Sequence, residues 1–164
     1  MTGAIIKPSA TLRSLPKACQ VSFDGRPPWA VVSTTGVVAA LGIDRGLLAT
    51  WRNRGIGPTE LPASWFRPAV GQPRHYQISA VLAWLADQHG EAFDAEACWV
   101  DHLRSNLGAE FANMAWVRRL AGNQSLVQGD ARFTANGFRQ FLALFQPDAA
   151  IDRIPENFAS AQGA

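Results

Sequence analysis

Arginine carries most of the chemistry that this sequence offers. Thirteen of its 15 basic residues are Arg, whose planar fork matches phosphate oxygens and base edges better than a lysine ammonium does. Five of them, Arg45, Arg52, Arg54, Arg67 and Arg74, fall within thirty residues, interleaved with Ala49, Thr50, Asn53 and Gln72. Small and amide side chains among arginines suit close approach to bases and hydrogen bonding to their edges. Other chemistries find less. Cys98 and His102, four apart, could supply two metal ligands, but no second pair stands at ligand spacing, so they read as a buried thiol beside a partly exposed imidazole. His75 precedes Tyr76 in a strand candidate, and His89 sits at a helix end, where it complements the dipole. The chain has no Gly-x-Gly-x-x-Gly, Walker-type, Gly-x-Ser-x-Gly or His-Glu-x-x-His motif. The expectation is no catalytic set, no cofactor and no metal. The chain does not read as an enzyme.

The elements that must position these side chains come from a chain of 164 residues, 48% hydrophobic, with six Trp and nine Phe. That is enough apolar volume for a real core and excludes a disordered coil. At 17% charged residues it is no coiled-coil rod. No apolar run reaches the ~18 residues of a membrane span, and the first twenty residues lack a leader core. With Cys19 and Cys98 far apart, a reducing compartment is expected, which predicts a cytoplasmic, nucleoid-associated protein with no membrane contact. Charge is uneven: +3 over residues 1–41, +2 over 42–90 and −3 over 91–164. The basic front suggests a polyanionic partner.

Prolines 8, 16, 27 and 28 mark residues 1–28 as an extended arm. Trp29 to Ser33 is a strand candidate, and Thr34-Thr35 signals a helix start. Val37, Val38, Ala40 and Leu41 form a short apolar helix closed by Gly42. Asp44 caps a second helix, Arg45 to Arg54, with Leu47, Leu48 and Trp51 on its apolar side. Gly55 to Pro58 stops it. A Pro-punctuated segment from Leu61 to Pro68 carries Trp65-Phe66-Arg67, with Trp65-Phe66 open between core and base stacking. A turn at Val70–Pro73 and a strand candidate, Arg74 to Tyr76, follow. Gln77 to His89 is a third helix, stopped by Gly90. The predicted domain spans 29–90 in the order helix, tight turn, helix, β-ribbon, helix, which reads as a winged helix-turn-helix in a mainly α fold with small β-ribbons.

Two blocks, VVAALGIDRGLLATWRNRGIGP and GQPRHYQISAVLAWLA, resemble the MerR-like winged helix-turn-helix of excisionases and AlpA-type phage regulators. The resemblance covers about residues 34–88. It implies that Arg45 to Arg54 is a recognition helix in the major groove and that a wing tipped near Gly71-Gln72 touches phosphate or the minor groove. The implied DNA-binding set is Arg45, Ala49, Thr50, Arg52, Asn53, Arg54, Arg67, Gln72 and Arg74. Ala49 and Thr50 stand where members often carry Tyr and Arg, and the wing is longer than usual.

Residues 91–147 read as a second helical domain, followed by a tail at 148–164. Asp94 caps a helix from Ala95 to Leu107, Glu110 to Leu120 makes another, Ser125 to Phe133 reads as a tight hairpin, and Thr134 caps a last helix ended by Pro147. Gly42 maps to Gly108 and Trp51 to Val117; Tyr76 maps to Phe133 and Trp84 to Phe141. Two tandem copies of one winged unit, or two unrelated helical halves with ordinary glycine stops, both remain open.

The expected function is sequence-specific binding of double-stranded DNA in a bacterium, phage or mobile element, as a transcription regulator or excisionase-like factor. The alternative is an adaptor, such as a phage small terminase subunit, with residues 91–147 as the partner surface. About two base contacts, at ~1–3 kcal/mol each, are too few for a unique site. A homodimer is therefore expected, built by residues 91–164 and the N-terminal arm, with Leu47 and Val31-Val32 as candidate packing residues and recognition helices ~34 Å apart.

Overall fold

A computed structural model describes residues 14–145. The protein is mainly helical, with one small antiparallel sheet among the described residues. β1 (Val31–Ser33) leads directly into α1 (Thr34–Leu41). Ser33 holds the cap position without a side-chain bond, and the backbone N–H of Thr34 donates to the Arg74 carbonyl at 3.2 Å. The Thr34-Thr35 start signal thus falls one residue inside the helix. Gly42 closes α1 in the left-handed region at φ 67°, a conformation that costs other residues about 1 kcal/mol or more. A three-residue turn, 42–44, then opens α2 (Arg45–Asn53), where Asp44 accepts from the Gly46 N–H at 2.8 Å.

Leu48 and Trp51 of α2 are fully buried, and Leu47 packs half-buried at their side. After α2 the chain runs without a strand to β2 (His75–Gln77), broken by a 3-10 turn at Ala63–Trp65. β2 pairs with β1 in the register Val31↔Gln77, Val32↔Tyr76, Ser33↔His75. This corrects the predicted ribbon. The strands that pair stand on either side of the helix pair, and the 54–74 loop contains no hairpin of its own. It also removes Val31 and Val32 as dimer-packing residues, since both are core positions in β1. α3 (Ile78–Gln88) follows β2 and buries Ile78, Val81, Leu82 and Leu85.

The second half begins with α4 (Ala95–Leu107), capped by Asp94 as expected. The predicted helix over Glu110 to Leu120 is instead a 3-10 turn at Ala109–Phe111 and a separate α5 (Met114–Ala121). Asn113 makes the break, because its side chain accepts from the Trp116 N–H and starts a new helix. The predicted hairpin at 125–133 is also corrected. Asn123 caps the five-residue α6 (Gln124–Gln128) by accepting from the Leu126 N–H. Thr134 caps α7 (Ala135–Leu142).

The order of helices in the two halves is similar, but the second half has no sheet of its own among the described residues. Its would-be strand residue, Phe133, forms an antiparallel bridge with Phe66 of the first half. Trp65 and Phe66, left open between core and base stacking, are core. They are 8% and 6% exposed, and the Trp65 indole donates to Gln140 Oε1 at 3.0 Å. One hydrophobic core runs from Leu15 to Phe145 through both halves. The described part of the arm, 14–28, is laid against it: Leu15, Phe23, Pro27 and Pro28 are buried, and the His89 ring bonds the Leu15 carbonyl at 3.0 Å. That carbonyl can only accept, so His89 Nε2 carries the proton. The rest of the arm and the 148–164 tail lie outside the described residues, as does Pro147.

Candidate nucleic-acid interface

Helical periodicity decides which side chains of α2 share a surface. Arg45, Ala49 and Arg52 follow the i, i+4, i+7 spacing of one face, while Leu48 and Trp51 point the other way, into the core. The first face borders a cleft of about 460 Å³, whose opposite wall is Gly71, Gln72, Pro73 and Arg74 from the end of the 54–74 loop. Thr50, Asn53 and Arg54 are exposed along the outer side of α2. The structure therefore gathers Arg45, Ala49, Arg52, Gln72 and Arg74 around one opening, with Thr50, Asn53 and Arg54 beside it. Arg67 does not line this cleft. Its backbone N–H is held by the Arg132 carbonyl at 2.8 Å, against the second half.

The side chains at the cleft are pre-arranged by partners that lie far off in sequence. Arg45 donates to the Thr35 hydroxyl at 2.6 Å, tying α2 to the start of α1. Glu60 sits between two arginines, 3.1 Å from Arg74 and 3.8 Å from Arg52. The Arg74 side chain is 49% exposed, so this pair contributes little to stability and leaves the guanidinium free to turn to another anion. Arg52 also hydrogen-bonds the buried Tyr76 hydroxyl, and burial followed by the Glu60 charge raises the Tyr76 pKa. Thr50 donates its hydroxyl proton to the Gly46 carbonyl at 3.0 Å, which leaves its oxygen as an acceptor toward a base amino group. Over residues 42–74 five arginines face two carboxylates, Asp44 and Glu60. Asp130 adds one more carboxylate to the cleft lining.

Thr35, Glu60 and Asp130 belong to the site and escape sequence reading. Glu60 lies eight residues from Arg52 and fourteen from Arg74 in an irregular loop, where no periodicity signals a contact. Asp130 arrives from the other half of the chain.

His75 lines the cleft floor, 8% exposed and stacked on Phe66 with ring centroids 4.0 Å apart. Burial lowers its pKa from the ordinary 6.5, and burial does the same to His102, which meets Trp29 edge-on at 5.8 Å. In both cases the unfolded chain takes up protons that the folded chain resists. Stability is therefore full above pH 6.5 and declines as pH falls through and below that value. Urea midpoints measured at pH 7.5 and pH 5 should drop toward the acid side, and His75→Phe should flatten the change. An unaltered pH dependence in that variant would show that His75 is not the group responsible.

Cys98 and His102 both lie on α4. Burial, then the Asp101 charge, pushes the Cys98 thiol up, which disfavours the ligating thiolate. Among the described residues no group of three or more His, Cys, Asp or Glu side chains could hold a metal ion, and no helix is long and apolar enough to cross a membrane. No protein-family model matches the chain, and neither a curated protein nor a solved structure does.

Proposed function

We propose that the protein binds double-stranded DNA through a winged helix-turn-helix formed by residues 29–90, acting as a transcription regulator or excisionase-like factor. The observation that carries this reading is the cleft itself. Arg45, Ala49 and Arg52 of α2 face Gln72 and Arg74 across one opening, and Thr50, Asn53 and Arg54 continue that surface. In this reading α2 enters the major groove, where Asn53 and Arg45 meet base edges and the small Ala49 permits close approach. Arg52, Arg54 and Arg74 take phosphates and set the register, and Gln72 at the exposed loop tip reaches the backbone or minor groove.

A second copy of the chain is part of the proposal, because so few base-reading side chains leave one copy short of a unique site. It docks through the second half, where three of the four exposed large apolar side chains among the described residues lie: Leu107, Leu126 and Leu144. Light scattering should return twice the 17.7 kDa chain mass.

The deciding experiment is a fluorescence-anisotropy titration with duplexes from the protein's own promoter region over a series of salt concentrations. Binding should weaken steeply with salt, log K falling with a slope of about −3 or steeper for three or more phosphate contacts. Asn53→Ala should cost about 1–3 kcal/mol on the preferred duplex and little on others. Absence of binding at low salt, or binding indifferent to salt, overturns the proposal.

A further inference from the structure

The place where the two halves meet brings together two arginines from distant parts of the chain. The Phe66–Phe133 bridge is closed on one side by the Arg67 N–H, which donates to the Arg132 carbonyl at 2.8 Å. On the other side the Thr134 N–H donates to the Trp65 carbonyl at 2.9 Å. Both phenyl rings of the bridge face the core, 6% and 3% exposed, with centroids 4.7 Å apart. Side chains alternate along extended backbone, so the next opposed pair, Arg67 and Arg132, faces outward. Directly opposed residues in an antiparallel pair hold their Cβ atoms about 4.5–5.5 Å apart.

Both arginines are exposed, and neither guanidinium has a hydrogen-bond or ion-pair partner among the described residues. Like charges directly opposed are unfavourable. Main-chain bonds and the two buried rings impose the pairing, and the charges themselves oppose it. An anion seated between two guanidinium forks would turn that repulsion into paired, charge-assisted hydrogen bonds. Arg67 and Arg132 lie outside the lining of the cleft beside α2, which takes in Asp130, two residues before Arg132. Phe66 stacks on His75, and His75, Arg74 and Asp130 all line that cleft. The Asp130 carboxylate is shared with Arg26, which feels its charge.

We infer that Arg67 and Arg132 form a two-guanidinium clamp for a phosphate of the DNA backbone, so that the second half of the chain supplies part of the interface. This rests on the DNA-binding reading and adds to it a contact, Arg132, from outside the 29–90 unit. The clamp reads no base, so its loss weakens all sequences alike.

The test is the same anisotropy titration on the full chain, over about 50–200 mM salt, with specific and scrambled duplexes. Arg132→Gln should lower affinity equally on both and reduce the magnitude of the salt slope, and the Arg67→Gln/Arg132→Gln pair should reduce it further, to a total of about 0.9 for the one phosphate held. Arg132→Lys, which keeps the charge and loses the fork, should fall between. Arg104→Gln is the reference for bare charge loss, since Arg104 is exposed on α4 and paired with Asp101; its slope should match the native one. The unfolding midpoint of Arg132→Gln should be native or slightly higher, because the bridge bonds are main-chain and one of two opposed charges is gone. A native slope in Arg132→Gln, while Arg52→Gln loses binding, overturns the clamp and leaves DNA binding standing. Equal slope losses in Arg132→Gln and Arg104→Gln also overturn it, in favour of diffuse attraction. Failure of the unaltered protein to bind duplex DNA in a salt-dependent way overturns the underlying reading instead.

Discussion

Replacing Gly137 with valine is expected to open the contact between the two halves of the protein and to destabilise the whole chain. Gly137 lies in the first turn of α7, where its N–H donates to the capping Thr134 hydroxyl at 2.8 Å. A Cβ there would collide with the carbonyl oxygen, carbonyl carbon and Cα of Trp65. These are backbone atoms and cannot rotate away. The Trp65 carbonyl is also fixed by the Thr134 N–H and hydroxyl. Ordinary overpacking costs about 1–3 kcal/mol, and a clash with rigid backbone should exceed that range, against a total stability of roughly 5–15 kcal/mol. The Phe66–Phe133 bridge and the Trp65–Gln140 hydrogen bond should loosen together. Ala135→Val is the control, since Ala135 is exposed in the same first turn, two residues earlier. The readouts are the melting temperature and hydrogen exchange over 62–67 and 131–137. A native melting temperature in Gly137→Val would show that α7 does not approach Trp65 so closely.

Truncation of Trp51 to alanine is the second large effect. Its side chain is fully buried and packs on Trp84 with ring centroids 5.4 Å apart. Trp84 in turn donates to the Ile56 carbonyl at 2.8 Å, so the two indoles fix α2 against α3 and against the chain that leaves α2. Loss of a buried Trp typically costs about 3–5 kcal/mol. The Trp51 indole N–H has no hydrogen-bond partner, so Trp51→Phe discards an unsatisfied polar group along with some volume. The phenylalanine variant should therefore lose much less than the alanine one. Denaturant titration followed by circular dichroism separates the two. Equal losses would mean that a phenyl ring recovers none of the packing that the full indole supplies. The same loosening tilts the Arg45, Ala49, Arg52 face, so Trp51→Ala should also bind DNA poorly even where it remains folded.

Much of this protein was legible without a structure wherever the signal was local. Asp44, Asp94 and Thr134 cap helices as read, because a cap is a bond between residues two or three positions apart. Gly42 ends α1 because only the backbone at that residue must turn left-handed. The face of α2 that carries Arg45, Ala49 and Arg52 follows from 3.6-residue periodicity. Local reading failed where one residue type serves two purposes. Asn113 lies inside the segment read as one helix from Glu110 to Leu120, and Asn123 just before the segment read as a hairpin; both start helices.

Tertiary structure alone decided which partners meet across the chain. Strand candidates at 29–33 and 74–76 name no mate, since three-residue strands carry too little pattern to fix register. Their pairing across the helix pair became visible only in the fold. Nor could composition tell whether Trp65 and Phe66 stack on bases or on the core. That depended on where Phe133 and Gln140 arrive, which is a property of packing between distant segments. The sequence determined that this chain carries an arginine-rich, short-helix surface. The fold decided which arginines stand together: Arg45, Arg52 and Arg74 line one cleft, and the Phe66–Phe133 bridge, formed to bury two rings, sets Arg132 opposite Arg67.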